Sequence, residues 1–495
     1  MEEDRKRHCW ECRRRCLVCD FTRPECKRCS SSGILCPGYD DREPFRLKWL
    51  APGRVKSRNR KHAGNQNGRP AKATAELPVI KKTRDLTRIK IPHFEPITDA
   101  LLLAQAAEYY NSCIYPDLEP INDLGPNHGI YKLSPTHLQR GAVLPDYLRL
   151  GVVCMTLSHR MNRIRNDPQS NSLAVNFFHY RGLVIRSLRS DINEVHKRTS
   201  DFVLAGIVTL LLIDAQHGAS TYWRFHMEGL QKLITLRGGI RPLARSAGLE
   251  PLLHCFVCAA IIGDTTTPAS KLFMSTQLLE EADFILEQFG SGVFAFLMCP
   301  KSLFAEVIKI NHLRVRASKQ DPAELENLAQ EAYQILQRIQ FFSSEQWAES
   351  KPSSKGDWIL VGNLFQAAVM IYCILSLQSL SVLPLTPQLR ASCTSNSQLL
   401  QILLKDALSS PRTKRFLVWP LVVLGVEAVN GSALMRNFVR EQLSELSCYI
   451  GSHAPLTAKD VLERFWASGK TDWDACFDRP YMFPMQIAVD ISKLS

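Results

Sequence analysis

Apolar residues recur at helical spacing along most of the chain, from about residue 93 nearly to the end. One stripe runs at i, i+3, i+4, i+7 and i+8 and is formed by Leu204, Ile207, Val208, Leu211 and Leu212. Runs of alternating β-branched residues, which are typical of half-buried strands, are absent from this part of the sequence. The pattern therefore predicts a large all-α region over residues 93–495.

A second helix is predicted from its start signal. Asp321 takes the capping position, Pro322 follows in the first turn, and Glu324 completes a capping box. The apolar positions that follow at helical spacing are Leu325, Leu328, Ala332, Leu336 and Ile339.

Residues 1–92 lack this periodicity and differ from the rest of the chain in charge. They contain 24 Lys and Arg against 11 Asp and Glu, whereas the remaining residues contain 37 of each. The formal net charge of +13 thus lies entirely in this basic head. A basic head indicates a polyanionic partner, either nucleic acid or an anionic membrane surface, and the neutral body has no electrostatic reason to bind either.

The membrane is the weaker of these two alternatives. Residues 1–10 have no apolar core, so they do not form a secretory signal. The most apolar stretches, at 202–213, 359–377 and 416–426, are too short to span a bilayer or are interrupted by polar residues, glycine or proline. We therefore predict no transmembrane helix and no membrane partner.

Residues 40–92 are rich in Arg, Lys, Gly, Asn and Pro, which predicts a flexible basic linker. Its densest basic run favours nuclear import, and the candidate residues are Arg54, Lys56, Arg58, Arg60 and Lys61. A solvated tether with no import role is the alternative interpretation. No heptad repeat runs through the linker, so the sequence shows no coiled-coil dimer there.

Seven of the 16 cysteines lie within residues 9–36. Without Cys16, their spacing is C-x2-C-x6-C, six residues, and C-x2-C-x6-C again, formed by Cys9, Cys12, Cys19, Cys26, Cys29 and Cys36. Two tetrahedral zinc ions need eight ligand positions, and six thiolates supply them if two sulfurs bridge both ions. We therefore predict two zinc ions per chain, with a redox or disulfide cluster as the alternative.

This segment is too short to bury a core of its own. Metal binding then has to supply its folding free energy, on the order of 10 kcal/mol or more per structural zinc. We expect the segment to be unfolded without zinc.

The sequence CWECRRRCLVCDFTRPECKRCSSSGILCPGY resembles the binuclear zinc-cluster domain of fungal transcription regulators. The resemblance implies a DNA-binding domain over residues 1–39, with Cys9 and Cys26 as the bridging ligands and Pro24 in the loop between the two halves. In that family the short helix after the second cysteine lies at the major groove. The residues that would face DNA are Arg13, Arg14 and Arg15, whose planar guanidinium groups suit guanine edges and phosphates.

Two positions depart from that family's pattern, which usually has basic residues fourth and sixth after the second cysteine. The fourth often contacts a base and the sixth a phosphate, but here they are Cys16 and Val18. The departure leaves two alternatives open: a head that reads DNA by itself, and a head that keeps the zinc fold, binds DNA weakly alone and acts through a protein partner. Cys16 could also compete as a zinc ligand, although its spacing breaks the repeat.

The body resembles the helical regulatory domain that accompanies many fungal zinc clusters. The segments that carry this resemblance are 223–239, 419–421 with Gly425, Glu427 and Ala428, 465–466 and 472–473. The residues of segment 223–239 predict an amphipathic helix that ends at Gly238 and Gly239. The Trp419 segment is predicted to be a buried helix. Each tryptophan is expected to pack in the core.

Enzyme signatures such as G-x-S-x-G, a phosphate-binding glycine loop, H-E-x-x-H or a dinucleotide fingerprint are absent from the sequence. His254, Cys255 and Cys258 lie in an apolar helical run without a second ligand pair, so a core position is favoured over a metal site. His226 and Glu228 are equally weak site candidates.

The nine cysteines outside the head are expected to be buried and reduced. We predict that the protein is not an enzyme; an enzyme fused to a zinc module is the alternative.

The combined prediction is a small two-zinc cluster domain over residues 1–39, a flexible basic linker over 40–92, and a large all-α regulatory domain over 93–495. The predicted function is zinc-dependent, sequence-specific DNA binding in the nucleus to regulate RNA polymerase II transcription in a fungus. Zinc is the expected cofactor and double-stranded DNA the expected partner. Other transcription regulators or a second copy of the chain are further candidate partners, and the sequence gives no support for a small-molecule effector.

Overall fold

The structure is a computed structural model of the chain, and its Cα positions cluster into two compact units, residues 1–90 and 91–495. The residues that it describes are 9, 11–12, 19–33, 36, 39, 99–125, 129–165, 167–218, 223–246, 248–273, 281, 284, 287, 298–319 and 325–483. In the first unit, the described residues include the short helix α1 (Lys27–Ser30) and six buried cysteines.

The second unit is helical, and none of its described residues forms a strand, which confirms the predicted helical body. Its helices are α2 (Asp99–Tyr109), α3 (Tyr115–Leu118), α4 (Pro135–Ala142), α5 (Asp146–Arg163), α6 (Gln169–Asn193), α7 (Asp201–His217), α8 (Trp223–Leu236), α9 (Ile240–Leu243), α10 (Glu250–Thr265), α11 (Lys301–Ser318), α12 (Leu325–Gln340), α13 (Ser344–Glu349), α14 (Lys355–Gln378), α15 (Pro387–Ser409), α16 (Val418–Glu427), α17 (Ala433–Ile450), α18 (Ala454–Ser468) and α19 (Trp473–Cys476). Shorter turns of π or 3-10 helix are Tyr110–Ile114, Glu119–Leu124, Ala269–Lys271 and Lys414–Phe416.

Helix α14 is the centre of this unit. It packs against α11, α12, α13, α15, α16 and α19. Among the helices described, it alone has the length and composition to cross a membrane, but 78% of its most apolar window is buried inside the protein. Its polar residues bond to neighbouring helices: Asn363 Oδ1 accepts from Ser344 Oγ at 2.8 Å, and Gln366 Nε2 donates to the Ile339 carbonyl at 2.8 Å. Helix α14 is therefore apolar because neighbours surround it.

The first predicted stripe lies on α7, where all five positions are buried. Ser200 caps the helix through its hydroxyl, which accepts from the Val203 amide at 3.3 Å, and Gly218 ends it with a φ of 93°. Burial extends around nearly the whole helix, so the single stripe was too narrow a prediction. Helices α5, α6, α8 and α10 pack against α7 from different sides.

The second predicted helix is α12, and its start signal at 321–324 lies outside the described residues. Four of its predicted apolar positions are buried: Leu328, Ala332, Leu336 and Ile339. Leu325 is 40% exposed, so its predicted place in the buried face was wrong. It is the first residue of α12, at the helix end.

The predicted tryptophan segments form the expected helices. Helix α8 is followed by Gly238 and Gly239 with φ of 90° and 97°, and α16 is buried throughout. Trp223, Trp419 and Trp473 are fully buried, and Trp466 is partly buried against the core, as predicted.

Cysteines outside the head are free thiols where the structure describes them. Five are buried: Cys154, Cys255, Cys373, Cys393 and Cys476. Cys113, Cys258 and Cys299 are partly exposed and Cys448 is exposed, so the prediction of burial was wrong for these four. Cys448 lies at the surface, where its thiol donates to the Arg163 carbonyl at 3.7 Å.

The two weak histidine candidates have structural positions. His254 is 5% exposed, and burial lowers its pKa to about 3, so it is a neutral core side chain. His226 Nε2 lies 3.1 Å from Asp214, whose carboxylate also accepts two hydrogen bonds from Arg181 at 2.6 and 2.8 Å. Glu228 pairs with Arg224 one turn away.

Candidate metal centre

The two cysteine repeats have the same local geometry. Cys9 Sγ accepts a hydrogen bond from the Cys12 amide at 3.4 Å, and Cys26 Sγ accepts one from the Cys29 amide at 3.3 Å. In each C-x2-C pair, the first cysteine therefore caps the turn that carries the second, as polar side chains do at helix N-termini. The repeat in the sequence is a repeat in the structure.

Asp20 and Thr22 hold the loop that leads into the second half. The Asp20 carboxylate accepts hydrogen bonds from the amides of Thr22 and Arg28, both at 2.9 Å. Thr22 Oγ1 accepts from the Lys27 amide at 3.0 Å. The Thr22 hydroxyl also donates to the Asp20 carboxylate, and this bond, with those from the Thr22 and Arg28 amides, lowers the pKa of Asp20, so the loop is held by a carboxylate. Pro24 lies in this loop after a cis peptide bond.

Tyr39 closes the cluster and was missed by the sequence analysis. Its hydroxyl donates to the Thr22 carbonyl at 2.9 Å and lies 3.4 Å from Cys19 Sγ. The Arg23 guanidinium lies over its ring, 5.4 Å from the centroid. A tyrosine three positions after Cys36 was the available signal, but sequence spacing alone does not show which polar group it reaches.

The six predicted ligand residues are brought together, and all six are buried. Their sulfurs form two groups of four within 4.8 Å: Cys9, Cys12, Cys19 and Cys26, and Cys9, Cys26, Cys29 and Cys36. The groups share Cys9 and Cys26, the two residues for which the resemblance implied a bridging role.

The spacing of these sulfurs suits zinc. The Sγ–Sγ distances are 3.5 Å for Cys9–Cys26, 3.6 Å for Cys12–Cys26 and 3.8 Å for Cys9–Cys29. Four sulfurs at about 2.3 Å from a zinc ion in a tetrahedron are about 3.8 Å apart, whereas a disulfide requires about 2.05 Å. The donor set is also the one that zinc prefers, so these residues fit the metal.

The pKa shifts of the cluster thiols also favour a bound metal ion. Burial raises the pKa of Cys9 and Cys12, and it raises the pKa of Cys29 to about 12. Burial opposes ionisation of Cys19 too, but hydrogen bonds from the Cys9 backbone and the Tyr39 hydroxyl lower its pKa to about 6. Cys9, Cys12 and Cys29 therefore need a nearby cation to ionise, and a divalent metal would provide it.

Other predicted site residues lie outside the described part of the chain. These are Arg13, Arg14 and Arg15 of the predicted DNA-facing helix, the departures Cys16 and Val18, and the import candidates Arg54, Lys56, Arg58, Arg60 and Lys61.

Comparison of the sequence with known protein families gives a match for the helical body. The profile of the fungal specific transcription factor domain matches residues 106–485, which is most of the chain. The protein belongs to the fungal transcription regulators. The family bears out the expectation of a transcription regulator and supports a role other than catalysis, whereas the matched range does not include the cysteine head.

Two curated relatives are similar to this regulator. The "Phomenoic acid biosynthesis cluster-specific transcriptional regulator" of Leptosphaeria maculans is 48% identical over 498 residues, covering 100% of this chain and 92% of the relative. "Arginine metabolism regulation protein II" of Saccharomyces cerevisiae is 43% identical over 44 residues, 9% of this chain and 4% of that protein. No solved structure matches the chain.

Proposed function

We propose that this regulator is a zinc-dependent, sequence-specific DNA-binding protein that controls RNA polymerase II transcription in a fungal nucleus. The observation that carries the proposal is the double sulfur cluster, with two groups of four that share Cys9 and Cys26. It lies in the same chain as a fungal transcription factor domain. The relative named for a biosynthesis cluster supports a narrower proposal, namely that the genes controlled are those of one biosynthesis cluster.

The charges in the head indicate separate roles for zinc and for the basic residues. Zinc supplies the folding free energy of a segment that has little apolar core, and two ions with six thiolates carry a net charge of about −2. Lys27 and Arg28 on α1 are exposed, so they can offset this charge while their tips remain accessible to phosphates. Arg13, Arg14 and Arg15 are proposed to enter the major groove, where guanidinium groups can contact guanine.

A second candidate function is favoured by Cys16 and Val18. Small neutral side chains at these positions remove a base contact and a phosphate contact that the zinc-cluster family usually makes. The head would then bind DNA weakly alone, and another regulator or a second copy of the chain would complete recognition.

Metal analysis tests the zinc centre. The purified full chain should contain two zinc ions, and Cys9→Ser should lose metal, since its sulfur serves both ions in this proposal. Cys16→Ser is the matched control and should retain both ions. One zinc per chain, or equal loss from the two variants, would refute the ligand assignment.

Selection from random DNA separates the two candidate functions. Recovery of a defined site by the purified protein would support autonomous reading, and affinity should fall steeply with salt because phosphate contacts release counterions. Cys16→Lys with Val18→Lys should strengthen binding by up to about 1–3 kcal/mol at unchanged zinc content. No recovered site, together with no gain from the double variant, would favour the partner-dependent regulator.

Nuclear import has a separate test. Replacing Arg54, Lys56, Arg58, Arg60 and Lys61 with alanine should move a fluorescent fusion of the full chain toward the cytoplasm. Unchanged nuclear accumulation would place the import signal elsewhere.

A further inference from the structure

Two arginines of the helical unit, among the residues described, are buried: Arg314 is 0% exposed and Arg415 is 2% exposed. A buried cation is costly unless hydrogen bonds and a counter-charge compensate it. The two side chains meet this requirement very differently.

Arg314 is compensated by the protein. Its Nη1 donates to the Asp264 carbonyl at 2.9 Å and to the Tyr372 hydroxyl at 3.1 Å. Its Nη2 donates to the Thr267 carbonyl at 2.7 Å and to the Asp474 carboxylate at 2.8 Å. This is the pattern of a structural arginine that joins several elements.

Arg415 has no such partners in the part of the chain that the structure describes. Its Nε, Nη1 and Nη2 atoms are all buried and make no hydrogen bond with a described residue. Burial lowers its pKa to about 10, which still leaves it charged at neutral pH. The guanidinium thus presents a complete set of donors, with bidentate geometry, that none of the described residues uses.

The backbone at Arg415 is fixed. Arg415 lies in the turn Lys414–Phe416, which packs against α15 and α17. Thr413 anchors the start of this turn, with its hydroxyl donating to the Ala407 carbonyl at 2.6 Å. Lys414 pairs with Glu445 at 2.5 Å. The turn is therefore built to hold its arginine inward.

The charges around Arg415 leave one positive charge to be matched. Its electrostatic neighbours are Tyr449, Asp117, Arg163, Tyr110 and His159. Asp117 and Arg163 neutralise each other, since they pair at 2.5 Å. Burial, reinforced by Arg415 and Arg163, lowers the pKa of His159 to about 3, so the imidazole is neutral.

His159 adds a second unused polar atom. The side chain is 0% exposed, and its Nδ1 lies 3.1 Å from the Tyr109 hydroxyl. Its Nε2 is buried and makes no hydrogen bond. Two buried groups that interact electrostatically, Arg415 and His159, therefore both have polar atoms without a partner among the residues described.

We propose that Arg415 anchors a binding site in the regulatory domain for a small organic molecule with one carboxylate. The guanidinium would hold the carboxylate in a bidentate contact. The neighbouring Tyr449 and Tyr110, beside an Asp117–Arg163 pair without net charge, favour an aromatic or aliphatic remainder. A phosphate dianion fits less well, because only one uncompensated positive charge is present among the described residues around this site. This site lies outside the cysteine head, and the inference does not depend on zinc or DNA binding.

Thermal unfolding of the purified full chain tests the site with benzoate as the probe. Benzoate at millimolar concentration should raise the Tm of the regulatory domain by about 1–3 °C, because a ligand that binds only the folded state stabilises it. Benzamide has the same shape without the charge and should give no shift, and neither should inorganic phosphate.

Two substitutions distinguish a ligand anchor from a structural arginine. Arg415→Met should abolish the benzoate shift and leave the Tm without ligand unchanged or higher, because it removes an uncompensated buried charge. Arg314→Met is the control and should lower the Tm, since it removes the four hydrogen bonds of a buried guanidinium, including the charged one to Asp474, while the benzoate shift remains. A wild-type chain that benzoate does not stabilise, a benzoate shift that survives Arg415→Met, or a Tm that falls as far in Arg415→Met as in Arg314→Met would overturn the proposal.

Discussion

Gly451 and Gly469 follow α17 and α18 in the same left-handed conformation, with φ of 62° and 70°. Their surroundings differ. A Cβ atom on Gly451 would lie 2.1 Å from Cδ2 of the buried His159 ring, whereas nothing lies within 4 Å of the corresponding position on Gly469. Gly469 is therefore required only for its backbone conformation, whereas Gly451 is required both for its conformation and for its lack of a side chain.

Gly451→Ala should destabilise the protein by about 3 kcal/mol or more, because the strain of a left-handed alanine adds to a clash with a ring that cannot move away. Gly469→Ala should cost about 1 kcal/mol, from the conformation alone. Urea unfolding followed by circular dichroism measures both. Equal losses would mean that the His159 ring adapts.

Buried neutral histidines make stability depend on pH. Burial lowers the pKa of His254 to about 3, compared with about 6.5 when the chain is unfolded. Between these values the unfolded chain binds the extra proton. The contribution to stability is therefore complete above about pH 6.5 and is lost as the pH falls toward 3, by about 1.4 kcal/mol per pH unit.

His254→Gln should flatten the stability profile between pH 6.5 and 5 by about this slope, since glutamine does not titrate. His196→Gln is the control, because the His196 side chain is 77% exposed. Chemical unfolding at several pH values measures the slope. A profile that is the same in the wild type and in His254→Gln would show that the buried imidazole does not control acid stability.

At the scale of elements, the end of α10 joins three parts of the core. Trp419 on α16 donates through Nε1 to the Thr265 hydroxyl at 2.8 Å, and Trp473 on α19 donates to the Thr265 carbonyl at 2.9 Å. The neighbouring Thr267, two residues after α10, is equally buried, but its hydroxyl donates to the Gly263 carbonyl of α10 at 2.7 Å.

Thr265→Val should therefore cost about 1–3 kcal/mol, because it leaves the indole N–H of Trp419 buried without an acceptor. Thr267→Val removes only a local hydrogen bond to the last turn of α10 and should cost less. Thermal unfolding and Trp fluorescence of the two variants give the comparison. A larger loss in Thr267→Val would contradict the role assigned to the Thr265–Trp419 contact.

The elements that the sequence predicted are those with a local signal. The Trp223 helix could be predicted because its apolar period and the pair Gly238-Gly239 are adjacent in the chain, and the six clustered cysteines because their spacing repeats. Arg415 could not, because Lys414-Arg415 resembles an ordinary basic surface pair and only packing against α15 and α17 buries the second residue. Likewise, Tyr39 reaches Thr22 across 17 positions, a contact that no short pattern encodes.

At the scale of the whole molecule, the described residues form one core in each of the two units. One is the cluster of six cysteines with Phe21 and Tyr39 packed against it, and the other is the large apolar core of the helical unit. The net charge of +13 belongs to residues 1–92 alone, whereas the rest of the chain is neutral. The part of the sequence that contains the cysteine core is thus also the basic part, and the part that contains the large apolar core is the neutral part.

A chelator should therefore act on one unit only. If the head binds zinc as proposed, removal of zinc from the full chain should unfold the head and expose its thiols to a thiol reagent, because metal binding would there replace an apolar core. The helical circular dichroism signal and the Tm of the regulatory domain should not change, since its core contains no residue of the head. Salt should weaken DNA binding without changing that Tm, because the neutral unit carries no excess charge to be screened. If chelation lowered the Tm of the helical unit, the two cores would be coupled, and the head would have to be regarded as part of the folding unit of the body.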